Sequence, residues 1–169
     1  KLDAFTGGSS YSPVSSCVVT FNNSNYEKEP IIEKERNFDL NSKNEPKIYD
    51  FYYENIGFYE SKELIKIACD VLMNKLSILK TKFDNYEFKN DFYYFTVHEE
   101  NDTLGNLFSS YILENKDILY SGYNLEHPLK NSILMKIKID GKKEKLFNLI
   151  NDTIDNLIDM TKDLKKEFK

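Results

Sequence analysis

The sequence predicts an α+β fold, in which one antiparallel sheet is covered on one face by helices to give a two-layer sandwich. Three observations support this prediction. Short stretches of alternating apolar residues, clearest in Ser132–Asp140, are typical of strands. Two long stretches near 61–82 and 143–166 repeat apolar residues every three or four positions, as amphipathic helices do. Residues 91–169 run in the order strand, helix, two strands, helix, which favours one sheet with helices on one face.

The N-terminal part predicts two strands separated by a long loop. The apolar run Cys17–Phe21 favours a strand because it contains β-branched and aromatic residues. Residues 26–46 are charged and polar and contain Pro30 and Pro46, so they are predicted to form a loop. Residues Ile48–Asn55 alternate again, which predicts the second strand.

The first helix is predicted to begin at Ser61, a suitable N-cap residue, and to end near Lys82. Glu63 lies in its first turn, where a carboxylate favours the helix dipole. Its apolar face, interrupted by Lys75, consists of Leu64, Ile67, Ala68, Val71, Leu72 and Leu79. Residues 83–90 are predicted to form a polar connector.

The C-terminal part predicts three further strands and two helices. In order, they are the strand Phe92–His98, a helix to about Glu114, the strands Ile118–Leu125 and Ser132–Asp140, and a helix over Lys143–Lys166. Thr103 is expected to cap the first of these helices, with Asn106 at the capping-box position. Gly105 is expected to let two helices approach closely. The apolar stripe of the last helix is wider than three strands can cover, which predicts a partner or a second module of the same chain.

Composition argues against several kinds of site. The net charge is −5, without a basic stripe, so contact with DNA or RNA is expected to be indirect. Cys17 and Cys69 lack the spacing of a zinc site, and they are expected to be reduced cysteines that fill space. The sequence has no apolar run long enough to span a membrane. We therefore expect no catalytic residues, no metal and no cofactor.

Two histidine-containing segments could suggest acid–base chemistry. The segment His98, Glu99 and Glu100 lies at a strand end, where such residues are usually solvated. His127 precedes Pro128, which favours a turn or a packed ring. A small hydrolytic enzyme that uses His98 or His127 is therefore the weakest of the functional hypotheses. Alanine at both histidines should leave function nearly intact.

One motif resembles a known family. It comprises Glu99, Glu100, Asn101, Asp102, Thr103, Leu104, Gly105, Asn106 and Leu107, followed by Gly122, Tyr123, Asn124, Leu125, Glu126, His127, Pro128 and Leu129. In residue type, spacing and element order, residues 91–169 resemble the small alpha-like subunit of cellular RNA polymerases, which is the eleventh eukaryotic subunit or archaeal L. The family often has a histidine where Asp102 stands here and a basic residue where Ser109 stands, so a polar contact to a large subunit is expected to be missing or remade.

A second, weaker resemblance concerns the N-terminal part. Ser12-Pro13-Val14 after a glycine-rich stretch, the turn Glu54-Asn55-Ile56-Gly57 and the helix from Leu64 to Leu79 resemble the end of the larger alpha-like subunit, the third eukaryotic subunit or archaeal D. The usual histidine of that region is absent. The resemblance implies three domains: 1–82 as the C-terminal part of the larger module, 83–90 as a connector, and 91–169 as the small module. The order resembles the fused subunit of large cytoplasmic DNA viruses, and Lys1 in place of Met suggests a portion of a longer fusion.

The resemblance implies a non-catalytic assembly and dimerisation subunit of a DNA-directed RNA polymerase. The implied partners are the two large catalytic subunits, with the two alpha-like modules joined intramolecularly. The implied location is the cytoplasm, in a viral factory or virion, or otherwise the nucleus. The implied interface residues are Leu64, Ala68, Val71, Leu72, Leu79, Leu104, Leu107, Tyr111, Ile150, Leu157 and Leu164. The alternative is a self-associating α+β protein-binding module unrelated to transcription, whose motif match would come from ordinary helix capping.

Overall fold

A computed structural model describes residues 12–22, 46–57, 59–125 and 132–168. The chain divides into two compact units, Lys1–Leu64 and Ile65–Lys169. The two units are described separately below.

In the N-terminal unit, two strands form an antiparallel ribbon. Strand β1 spans Val14–Asn22 and pairs with β2, Ile48–Asn55, so both predicted strands are confirmed. Val19 lies opposite Phe51, and Cys17 lies opposite Tyr53, so these four side chains share one face of the ribbon. Val19 and Phe51 are more than half exposed, at 54% and 53%. Most of the predicted loop 26–46 lies outside the described residues.

Helix α1 spans Ser61–Thr81, close to the predicted range, and continues from the first unit into the second. The amide of Leu64 donates to the carbonyl of Glu60 at 3.0 Å, so Glu60 precedes the helix and Ser61 is its first residue rather than its cap. Residue by residue, the buried side chains in the part of α1 that belongs to the second unit are Cys69, Leu76 and Leu79.

The predicted apolar face of α1 is therefore confirmed only in part: Leu64 and Leu79 are buried, whereas Ile67 and Ala68 are exposed. A second row of apolar residues is as regular in spacing as the predicted one and ends in a large aromatic ring. It consists of Cys69, Leu72, Leu76, Leu79 and Phe83. Burying that row removes more apolar area from water. It also leaves Lys75 at the margin of the buried face.

The C-terminal unit contains a four-stranded antiparallel sheet in the order β3-β4-β6-β5. Its strands are β3 (Glu87–Lys89), β4 (Phe92–His98), β5 (Ile118–Leu125) and β6 (Ser132–Ile139). Helix α2 spans Asp102–Ile112 and helix α3 spans Lys143–Glu167. These elements confirm the predicted α+β class with an antiparallel sheet.

Strand β3 was not predicted, because residues 83–90 were assigned to a polar connector. The structure has a 3-10 turn at Lys82–Asp84 and then β3, which pairs with the start of β4. Asn90 and Asp91 join the two strands with φ values of 53° and 63°. Two consecutive residues with positive φ match the tight hairpin turn that Asn and Asp favour, so this dipeptide was the signal that could have predicted the hairpin.

The core lies between the sheet and the helices, and each of the three helices in the described residues contributes to it. On β6, Ile133, Met135, Ile137 and Ile139 face inward, as the alternating pattern predicted. The other members of this buried cluster are Leu76, Leu79, Phe83, Phe95, Val97, Leu104, Phe108, Ile112, Ile118, Leu146, Ile150, Ile154 and Leu157. Within the described residues, no helix is long and apolar enough to cross a lipid bilayer.

Replacement of Phe83 by alanine tests the role of the segment after α1. Phe83 is 2% exposed and its ring centre lies 5.1 Å from those of Phe95 and Phe108. Phe83→Ala should lower the free energy of unfolding by about 3–5 kcal/mol, measured by urea denaturation. The matched change Phe88→Ala removes a ring that is 58% exposed and should cost much less. Equal losses for the two variants would contradict this account.

Candidate assembly interface

Helices α1 and α3 form a seam within the C-terminal unit. Lys80 on α1 donates to both carboxylate oxygens of Asp155 on α3, at 2.9 Å each. Lys165 near the end of α3 donates to both oxygens of Asp70, at 2.6 and 2.7 Å. Because residue numbers rise along one helix as they fall along the other, the two helices are antiparallel. The helices thus share one core and two bidentate ion pairs at its margin.

A buried carboxylate fixes the end of α1 to the turn that precedes α2. Glu100 is 4% exposed, and its oxygens lie 3.1 Å from Lys75 Nζ and 3.6 Å from Lys82 Nζ. Lys82 Nζ also donates to the carbonyl of His98 at 2.5 Å. The expectation that Glu100 is solvated was therefore wrong, because two lysines from the end of α1 and the following turn compensate the charge in a nearly closed site.

The start of α2 is capped by Asn101, so the predicted Thr103 cap was wrong. The Asn101 side-chain oxygen accepts a hydrogen bond from the Thr103 amide at 3.1 Å. Asn106 does not reach back to the cap. Its side-chain oxygen instead accepts from Ser110 Oγ at 3.0 Å. Asn is as good a cap as Thr, and the preceding turn with Glu99 at φ 61° directs the chain into the helix two residues earlier than expected.

Gly105 allows α2 to lie close to a strand rather than to another helix. A Cβ atom added to Gly105 would lie 2.6 Å from the ring of Tyr123 on β5, so no larger residue fits without movement of that ring. Burial raises the pKa of Tyr123, and Asp102 raises it further as a neighbouring negative charge and hydrogen-bond partner. The motif residues Asp102, Gly105 and Tyr123 therefore form one contact between α2 and β5.

An open groove of about 590 Å³ runs along the other side of α2. Its apolar lining comes from Leu72 of α1 and from Leu107 and Tyr111 of α2, all partly buried. Polar side chains along the same groove are Asp102, Thr103, Asn106 and Ser110. The Tyr111 hydroxyl lies 2.7 Å from the sulfur of Met160 on α3, which is itself half exposed. The groove is therefore a mainly apolar helical surface with a polar margin.

The predicted interface residues fall into different environments. Leu79, Leu104, Ile150 and Leu157 lie in the core of the C-terminal unit. Leu72, Leu107 and Tyr111 line the groove. Leu64 is buried, Val71 is half-buried, and Ala68 and Leu164 are exposed. Their role in contacts with other subunits stays a prediction.

The motif residues are placed as follows. Asp102–Leu107 begin α2, and Gly122 and Tyr123 lie in β5. His127 and Pro128 lie outside the described residues. Leu76, Lys82 and Asn101 were missed as contributors to this region. Spacing could have found Leu76, and Asn101 was a possible cap residue by type. No sequence signal pairs Lys82 with Glu100.

Acid–base and metal chemistry find little support in the described part of the chain. It contains no group of three or more His, Cys, Asp or Glu side chains able to hold a metal ion. His98 is exposed at a strand end. Cys17 is exposed, contrary to the expectation that it fills space, whereas Cys69 is buried, and both are free thiols.

Comparison with known proteins identifies relatives of the C-terminal unit. Residues 93–167 match the RNA polymerase Rpb3/Rpb11 dimerisation domain. The chain is 30% identical over 80 residues to a probable DNA-directed RNA polymerase II subunit RPB11 of Plasmodium falciparum. The aligned residues cover 47% of this chain and 62% of that protein. It is 40% identical over 45 residues to the DNA-directed RNA polymerase subunit Rpo11 of Metallosphaera sedula, covering 27% of this chain and 50% of the relative.

The chain thus spans less than two thirds of the length of these relatives. Residues 93–167, which match that domain, form an α+β fold with an antiparallel sheet.

Replacement of Glu100 by glutamine tests the buried ion pairs. Glu100→Gln keeps the shape of the side chain but removes the charge that Lys75 and Lys82 face. The free energy of unfolding should fall by about 1–3 kcal/mol in urea denaturation. The control Asp155→Asn alters an exposed ion pair and should cost about 0–1 kcal/mol. A loss for Glu100→Gln no larger than for the control would contradict a stabilising role for the ion pairs of Glu100 with Lys75 and Lys82.

A double substitution tests the contact between Gly105 and Tyr123. Alanine normally stabilises a helix relative to glycine by about 1 kcal/mol. Here Gly105→Ala should instead destabilise the fold, because its methyl group would overlap the Tyr123 ring. In the Tyr123→Leu background the same change should be less harmful, which thermal unfolding of the wild type and the three variants would measure. Additive effects would contradict a direct contact.

Proposed function

We propose that this chain is a non-catalytic assembly and dimerisation subunit of a DNA-directed RNA polymerase. The observation that carries the proposal is the groove formed by Leu72, Leu107 and Tyr111, which lies on the helices of a unit similar to the dimerisation domain. An apolar groove between helices is a surface that a partner helix can cover. In this proposal, the chain supports the two large catalytic subunits and contacts DNA or RNA only through them.

The proposal includes a fusion of two alpha-like modules, with 1–82 from the larger module, 83–90 as a connector and 91–169 as the small module. Helix α1 supports it, because its sequence resembles the larger module while Leu76 and Leu79 pack in the core of the C-terminal unit. If two modules pack tightly against each other, a helix that resembles one module in sequence is expected to pack in the core of the other.

The N-terminal ribbon supports the same view. A two-stranded ribbon is marginally stable alone, and one face of this ribbon carries Val19, Phe51 and Tyr53. The remainder of a larger alpha-like module would cover that face. The upstream genomic sequence tests the fusion and its relation to large cytoplasmic DNA viruses: a second capped helix followed by an inserted domain is expected there.

The alternative function, a self-associating binding module, is favoured by one observation. Met160 and Leu164 lie one turn apart on α3 and are each 52% exposed. Two copies could cover these side chains by pairing their α3 helices. A charge at the buried Leu157 would disrupt the core instead, so Leu164 is the position at which to test this alternative.

Replacement of Leu107 by glutamate tests the proposed function. In the full-length protein, Leu107→Glu should reduce co-purification with the two large polymerase subunits by at least about tenfold, because a charge would be buried where an apolar contact is expected. The matched change Leu113→Glu places the same charge on an exposed position after α2 and should leave co-purification intact.

Two results would count against the proposal. One is undiminished co-purification of a folded Leu107→Glu protein. The other is a wild-type chain that binds no large subunit, with self-association that Leu164→Glu abolishes; this result would favour the alternative.

A further inference from the structure

Strand β5 is an exposed edge of the sheet with little protection against pairing. It ends the order β3-β4-β6-β5, and no strand of the described chain pairs with its outer edge. Residues Tyr120–Leu125 contain neither a charged side chain nor proline. Edge strands usually carry such residues because unpaired backbone groups invite another strand. The opposite edge, β3, has only three residues and contains Glu87 and Lys89.

The start of β5 is irregular, which defines the stretch available for pairing. The register shifts between Ile118 and Tyr120, so the regular part of the edge is Tyr120–Leu125. Leu119 and Tyr120 are 57% and 45% exposed. A regular stretch of this length is as long as a typical strand.

The open face of the sheet beside this edge is positively charged. Lys136 and Lys138 on β6 pair with Gly122 and Tyr120 on β5, so these residues share the face opposite the helices. Lys136 Nζ lies 3.9 Å from the ring centre of Phe92, and Lys138 Nζ lies 5.3 Å from it. The rings of Tyr94 and Tyr120 lie 5.6 and 5.7 Å from Lys136 Nζ.

The positive charges of Lys136 and Lys138 are only partly compensated by nearby carboxylates. Asp91, which is mostly exposed, lies 3.8 Å from Lys138. Among the described residues, no carboxylate lies within ion-pair distance of Lys136. Aromatic rings offset part of an ammonium charge but leave its outward N–H groups available to an acceptor. The face therefore favours an acidic ligand.

Gly122 connects the edge to the lysines. It lies directly opposite Lys136 and has no side chain, and the Tyr120 hydroxyl lies 2.8 Å from the position that a Cβ would occupy. A strand added to the edge would lie about 4.8 Å from β5, with alternate side chains on the open face. A glutamate on that strand opposite Gly122 could extend toward the Tyr120 hydroxyl and the Lys136 ammonium.

We propose that the β5 edge binds an extended segment of a partner protein by strand addition, with acidic side chains at alternate positions facing Lys136 and Lys138. Backbone hydrogen bonds to β5 supply affinity, and the charges select the face and the register. A second copy of the chain fits less well, because β5 has no acidic residue to offer these lysines. This surface is independent of the helical groove.

Labelled peptides and the full chain test the proposal. An eight-residue peptide alternating Glu and Val should bind at least about tenfold more tightly than its Gln–Val counterpart in fluorescence anisotropy at low salt. The double variant Lys136→Gln/Lys138→Gln should abolish that difference. Asn124→Glu, on the exposed edge, should weaken binding of the acidic peptide, whereas Asn148→Glu on α3 should not.

The proposal would be overturned by equal binding of the two peptides, by no binding of either, or by self-association through β5. It would also be overturned if NMR showed that the peptide changes amide chemical shifts at the α2 groove instead of at β5. Tighter binding of single-stranded oligothymidine than of the acidic peptide would also overturn it, by indicating a nucleic-acid surface. Leu107→Glu should leave peptide binding unchanged, so failure of this proposal is distinguishable from failure of the proposed function.

Discussion

The C-terminal unit depends on covering one apolar face of a four-stranded sheet. Helices α2 and α3 contribute to that cover together with α1, whose Leu76 and Leu79 join the same buried cluster. Phe83, just after α1, fills the space between Phe95 and Phe108. Since removal of apolar surface from water is the main favourable term in folding, the position of α1 is set by this core rather than by helix propensity.

Helix and strand positions were largely predictable, whereas their orientation was not. The alternation in β6 and the three-and-four spacing in α3 are local signals, and both elements lie close to where they were expected. In α1, two apolar rows one position apart compete, and local spacing does not separate them. The choice is made by distant partners, namely the core that receives Leu76 and the carboxylate of Glu100 that faces Lys75.

The candidate interface shows the same limit of prediction from local sequence patterns. The motif at the start of α2 was identified by its resemblance in residue type, spacing and element order, and the expected helix is present. The role of Gly105 was assigned to the wrong neighbour, because its contact with Tyr123 depends on how β5 lies beneath α2. The cap was misplaced because Asn101 and Thr103 are both suitable by residue type. Register and layer packing therefore account for most of what sequence patterns left open.

The two layers of the unit can serve different partners because the core separates them. The groove of Leu72, Leu107 and Tyr111 lies among the helices, whereas Lys136 and Lys138 lie on the opposite face of the sheet. The helical surface is mainly apolar and suits a permanent, shape-matched contact. The sheet surface is charged and presents unpaired backbone groups, so its binding should weaken with salt while the helical contact persists. Salt dependence therefore provides a means of assigning any newly found partner to one surface or the other.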